Sequence, residues 1–240
     1  MKKSKVFIIS LHKTGTTSLS RFLEKLGYLV TGPDTHLFIP AIQKDYDEID
    51  RFLNRYDAFQ DDPWYLIYPY LERQHPTAKF VFLERDENSW IKSVQNFYDR
   101  DRYNNSVRRV FYGNADTIAS KNLYLDKYRS HKKEVFDYFK NRENFISISI
   151  AENNDAIRLQ IFLGEPVRFK SFPHKNRAPT KKNDTVKKGF RFMVYDGLGL
   201  KQFAKRQLFR ILGPDEFILF RSKIRFIKAK GRVFFLNFLK

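Results

Sequence analysis

Val6-Phe7-Ile8-Ile9-Ser10-Leu11-His12-Lys13-Thr14-Gly15-Thr16-Thr17-Ser18-Leu19 joins an apolar run, a polar turn and the start of an amphipathic helix within fourteen residues. Val6 to Ile9, β-branched or aromatic throughout, reads as a strand buried on both faces, the kind found inside parallel sheets. A short polar loop with one glycine follows. Leu19, Phe22, Leu23 and Leu26 then recur at i, i+3, i+4 and i+7, one apolar helix face, and Gly27 stands where a helix ends. A strand, a tight polar loop and a helix N-terminus aim free backbone N–H groups and a positive dipole end at one point. Lys13 adds a full charge there, and Thr14, Thr16, Thr17 and Ser18 add hydroxyls. An anionic group, most simply a phosphate, is the expected ligand.

The order of residues is not that of the Walker A loop, which needs a first glycine and a Gly-Lys pair. Further along, Lys79-Phe80-Val81-Phe82-Leu83 is the clearest strand in the chain. Tyr28 to Val30, Asp57 to Gln60 and Phe145 to Ile150 are shorter strand candidates. Helical spacing falls on Ile49, Phe52 and Leu53; on Trp64, Ile67, Tyr68 and Leu71, with Pro69 expected to kink or shorten that helix; on Trp90, Val94 and Phe97, capped by Asn88 or Ser89; on Val135, Phe136 and Phe139; and on Ala156, Leu159 and Leu163. Asp99 to Leu123 reads as an irregular polar insertion. Strands alternating with helices predict a parallel sheet covered on both faces, with ligands at the carboxyl ends of its strands. The opening loop, Asp61-Asp62 and Arg85 all fall at such ends.

Arg85 and Ser93 are eight residues apart, one at a strand end and one in the helix after it. A nucleotide with a second phosphate needs a second cationic site, and the planar fork of arginine suits one. Lys13 to Ser18 resembles the 5′-phosphosulfate loop of the sulfotransferases, and the Arg85–Ser93 pair resembles their 3′-phosphate site. Phe80 to Trp90, and Phe162-Leu163-Gly164-Glu165-Pro166 followed by Phe172-Pro173-His174-Lys175-Asn176, are similar to other segments of that family. In order and spacing the resemblance spans roughly Lys5 to Arg177. Two departures stand out: Glu87 replaces a proline common after the Arg-Asp pair, and the basic Arg-Lys-Gly loop of the cytosolic members is missing, with Lys175 and Arg177 as substitutes at most.

The resemblance implies a P-loop-NTPase-like α/β sheet over residues 1–179. It also implies 3′-phosphoadenosine 5′-phosphosulfate (PAPS) as donor and 3′-phosphoadenosine 5′-phosphate (PAP) as product; a sulfuryl group carries less charge than a phosphoryl group, so no metal is expected. Lys13, Thr14, Gly15, Thr16, Thr17, Ser18, Arg85 and Ser93 are then the residues expected to bind the donor, with Lys13 also catalytic. Asp61 leads as the base for an acceptor hydroxyl, ahead of Asp62 and His12; its alternative use is to cap the helix that Pro63 opens. The acceptor, whether small molecule, glycan or lipid, is not legible. The competing readings are a nucleotide kinase, with Glu84 or Asp86 on magnesium, and a non-catalytic nucleotide-binding protein at a membrane.

The 240 residues carry a net charge of +18, which points to anionic partners. With no cysteine, disulfides, zinc–thiolate sites and thiol nucleophiles are excluded. No apolar run is long enough to span a bilayer, and the apolar stretch after Lys5 breaks too early for a secretory signal, so a cytoplasmic placement is expected. Residues 180–240 form a distinct basic extension, with 16 Lys and Arg against 4 Asp and Glu and ten of the 25 phenylalanines. Phe217, Phe220, Ile224 and Ile227 share one helical face there, and Arg221, Arg225 and Lys228 another, a pattern that suits either an anionic membrane surface or packing on the domain. Nucleic acid is not an expected partner, because no recognised module accompanies the charge. Membrane contact predicts that the full chain floats with anionic liposomes and is released as salt rises; no flotation at low salt would assign the extension a packing role.

Overall fold

The computed structural model describes residues 3–98 and 105–173, which fall in the first of the chain's two units, Met1–Pro173. The basic extension and its amphipathic faces, Lys175, Arg177 and the start of the polar insertion, residues 99–104, lie outside the described residues. Five strands, β1 (Val6–Ile8), β2 (Val30–Thr31), β3 (Ala58–Phe59), β4 (Lys79–Leu83) and β5 (Phe145–Ile148), form one sheet in the order β2-β3-β1-β4-β5. Every pairing is parallel, with Phe7 opposite Phe59 on one side and opposite Phe80 on the other. The expected α/β architecture is present, with β1 at its centre. Successive strands fill one side of β1 and then the other, which sets the loop after β1 at the switch point where such sheets bind ligands.

Alternation along the strands sorts the core into two kinds. Val6 and Ile8 of β1 and Val81 and Leu83 of β4 face α1 (Thr16–Lys25) and α8 (Asn153–Phe162). There they meet Leu19, Phe22, Leu23, Leu26, Ala156 and Leu159, all buried. The opposite face is aromatic: the Phe7 ring stacks on Phe59 at 4.9 Å and on Phe80 at 5.5 Å, and Trp64 and Phe139 close over that layer. Each such ring removes a large apolar area from water and adds ring–ring contact, which accounts for the many phenylalanines inside the domain. Near the end of α8, the fully buried Gln160 holds both backbone groups of Phe169, donating to its oxygen at 2.7 Å and accepting from its nitrogen at 3.1 Å. This return lays Phe172 against Phe22, 4.9 Å between rings.

Several local expectations are corrected. The Trp64 helix is two pieces, a 3₁₀ turn over Trp64–Leu66 and α4 (Tyr68–Gln74) with Pro69 in its first turn. Proline lacks the N–H an interior position needs, so it opens a helix rather than continuing one. Before it come α2 (Phe38–Gln43), which the sequence pattern missed, and α3 (Asp47–Leu53). The helix after β4, α5 (Glu87–Tyr98), is capped by neither Asn88 nor Ser89: Asp86 accepts the Ser89 N–H at 2.9 Å. Trp90, Ile91 and Val94 form its inner face, and Phe97, expected inside, is 46% exposed. The supposed irregular insertion contains a helix, α6 (Asn105–Tyr112), ahead of α7 (Lys121–Tyr138).

Candidate active site

The loop from Ile9 to Gly15 owes its shape to side chains that hold its carbonyls. His131 of α7 meets the Ile9 oxygen at 2.7 Å, Thr14 donates its hydroxyl to the Leu11 oxygen at 2.7 Å, and the Trp90 indole donates to the His12 oxygen at 2.9 Å. Arg85, at the end of β4, donates to the Lys13 oxygen at 2.5 Å. A carbonyl can only accept, so the His131 Nε2 carries the proton; burial holds that ring neutral, its pKa lowered to about 4. Because a trans peptide sets N–H opposite C=O, fixing the His12 and Lys13 oxygens also fixes the directions of the Lys13 and Thr14 N–H groups. Lys13 and Gly15 both have positive φ, 67° and 118°. Alternation of this kind makes a nest of N–H groups for an anion. At Gly15 a Cβ would also stand 2.8 Å from the Ile150 side chain. The first N–H groups of α1, which no carbonyl of their own helix can satisfy, follow directly.

Side chains at the other strand ends converge here. Asp61, after β3, has positive φ (60°), a conformation that costs a non-glycine residue energy and that clusters at functional sites. Its Oδ2 accepts from the Thr16 hydroxyl at 3.3 Å, and its Oδ1 is buried without a hydrogen-bond partner among the described residues. Burial, with the Asp62 and Asp34 charges adding to it, raises the carboxyl pKa to about 7; Thr16 and Lys13 pull the other way. At the turn after Pro63 the Trp64 N–H goes to the Asp61 backbone oxygen at 3.1 Å, while the Asp61 carboxylate turns to Thr16. Lys13 is half-buried, and burial lowers its pKa; nearby Asp61 opposes that shift and Arg85 assists it. The Lys13 ammonium lies 3.8 Å from the centre of the exposed Phe97 ring.

The remaining expected residues divide by surroundings. Thr16 and Ser18 are buried in the first turn of α1 and Thr17 is exposed there, while the Thr14 hydroxyl points back to Leu11. Ser93 sits half-buried in the second turn of α5. Asp62 accepts from the Tyr65 hydroxyl at 2.6 Å. His12, with Nε2 3.0 Å from the Tyr112 hydroxyl, is held neutral by burial and by Lys13 and Arg108, its pKa lowered to about 3. Both are built into packing. Of the carboxylates a kinase would use, Glu84 is engaged by Ser147 at 2.6 Å and Lys132 at 2.5 Å, and Asp86 caps α5. Sequence reasoning missed the carbonyl holders Trp90 and His131, and also Asp34, which takes the Trp64 indole N–H at 3.1 Å beside Asp62. Their partners lie up to 122 residues away, beyond the reach of any local pattern.

A parallel α/β sheet thus carries, after its central strand, a loop with positive φ at Lys13 and Gly15, and the Asp61 carboxyl of raised pKa stands beside it. The chain belongs to the sulfotransferase domain family, whose sequence model matches residues 5–180. No curated protein matches the chain. Among solved structures, a sulfotransferase from Alicyclobacillus acidocaldarius is similar at 20% identity over 75% of this chain and 88% of that one, with a TM-score of 0.47. Among the described residues, no helix is long and apolar enough to cross a membrane.

Proposed function

We propose that the chain transfers the sulfuryl group of PAPS to a hydroxyl or amine of an acceptor. The observation that carries this reading is Asp61, a buried carboxylate with a pKa near 7, bonded to Thr16 at the mouth of the Lys13 nest. When bound, PAPS supplies an activated sulfuryl group on a phosphate leaving group. The residues fit such a donor: the N–H groups and hydroxyls of the Lys13 to Ser18 loop and the Lys13 ammonium would hold the phosphosulfate, and Arg85 and Ser93 would hold the 3′-phosphate. Lys13 stabilises negative charge on the departing phosphate oxygen, usually the largest contribution in such a transfer. Asp61 takes the acceptor proton at Oδ1 while Thr16 holds Oδ2.

Incubating the full chain with sulfur-labelled PAPS and extracts of its own cells tests the reading. The expected result is a labelled product; PAP binding with no labelled product would leave a nucleotide-binding protein without this activity. Arg85→Ala is expected to weaken PAP roughly ten- to a hundredfold, since a charged hydrogen bond contributes about 1.5–3 kcal/mol. Adenosine 5′-phosphosulfate, with no 3′-phosphate, should lose much less. Equal losses for both ligands in calorimetry would remove Arg85 from the 3′ site.

A further inference from the structure

Four donors hold the carbonyls of the anion loop, and one of them is the arginine placed at the 3′ end of the donor nucleotide. We propose that Arg85 is also a positioning residue for Lys13: its bond to the Lys13 oxygen keeps the nest formed and the ammonium aimed, so one guanidinium links the two ends of the site. This deepens the sulfuryl-transfer reading and rests on it for the work of Lys13. The geometric part stands by itself.

Lys13 has φ 67°, a backbone state a lysine does not keep unaided. Its oxygen receives the Arg85 guanidinium at 2.5 Å, which turns the Thr14 N–H the opposite way, into the nest. Arg85 is itself fixed from behind, because Tyr128 of α7 donates to its backbone oxygen at 2.7 Å. Tyr128 also stacks on Trp90, 4.4 Å between rings, and Trp90 holds the preceding loop carbonyl, that of His12. The loop is thus gripped at two successive peptides by one packed unit of β4, α5 and α7. An arginine presents five donors in a fork, so one N–H can hold the loop while others face a phosphate. A lysine at position 85 would offer one point charge on a flexible stem in place of that fork.

Two measurements on the full chain test this, with Arg85→Ala and Arg85→Lys. Without nucleotide, the Ser18 and Leu19 amides, which donate to the Gly15 oxygen at 2.9 and 3.1 Å, should exchange hydrogen at least tenfold faster in Arg85→Ala. Amides of β4 and α7 should keep their rates, and Arg85→Lys should fall between. Unchanged exchange at Ser18 and Leu19 overturns the proposal, and so does an equal rise throughout β4 and α7, which would make Arg85 a general stability residue. If Arg85→Ala does not fold, Arg85→Lys decides by the same comparison. In turnover, a residue that only grips the 3′-phosphate raises KM and leaves kcat intact at saturating PAPS. Arg85→Lys should instead keep kcat at least tenfold down at saturation, and full recovery of kcat overturns the link to Lys13. A chain that transfers no sulfuryl group at all defeats the functional reading, while the exchange measurement still decides whether Arg85 holds the loop.

Discussion

Lys13→Ala is expected to lower kcat by about 10²–10³, the usual loss when one preorganised group facing developing charge is removed. Binding of PAP should weaken far less. The reasoning is differential: the loop amides and hydroxyls meet the phosphate in ground state and transition state alike, whereas an ammonium gains most as the leaving oxygen becomes anionic. The site strengthens this contrast, because Lys13 is half-buried and Arg85 stands beside it, so a new negative charge meets two partly desolvated cations. Parallel measurement of turnover and PAP affinity checks the prediction. If both fall by the same factor, Lys13 acts in uniform binding and the catalytic assignment is lost.

Asp61→Asn is expected to lower kcat by about 10²–10⁴, the range for loss of a positioned general base. Two further readouts follow from the raised pKa. In the parent chain kcat/KM should climb as pH rises through about 7, where the Asp61 carboxyl loses its proton, and that limb should vanish in the variant. The stability effect has the opposite sense. A carboxyl whose folded pKa lies above its unfolded value near 3.8 binds its proton more tightly in the native state, so stability falls as pH rises from about 4 to 7 and stays at the lower level above. The asparagine variant lacks this loss and should melt at a higher temperature than the parent at pH 8. A parent rate independent of pH between 6 and 8, or a variant no more stable at pH 8, would show that Asp61 is not a carboxyl of raised pKa.

The kinase reading loses support from one local fact, the engagement of Glu84 by Ser147 and Lys132. In the sequence, Glu84-Arg85-Asp86 is only a charged triplet at a strand end. The neighbours that decide its use come from β5 and α7, more than 40 residues on. Phe97 teaches the same lesson: helical spacing placed it with Trp90 and Val94, yet its ring is exposed beside the Lys13 ammonium.

Whatever depends on periodicity and local chemistry could be read along the chain. The strand from Val6, the glycine-bearing loop, the α1 face of Leu19, Phe22, Leu23 and Leu26, and the all-parallel order of strands and helices were legible, because side-chain period and turn residues act within a few positions. The gathering of Lys13, Asp61 and Arg85 at one sheet edge followed from that topology. The tertiary structure alone decided what those residues do to one another. Trp90, His131 and Arg85 reach loop carbonyls across 72 to 122 residues. The Asp61 pKa depends on how much water the fold excludes and on Asp62, Thr16, Lys13 and Asp34 standing close. Burial and distance are properties of the packed chain, and no stretch of sequence carries them alone.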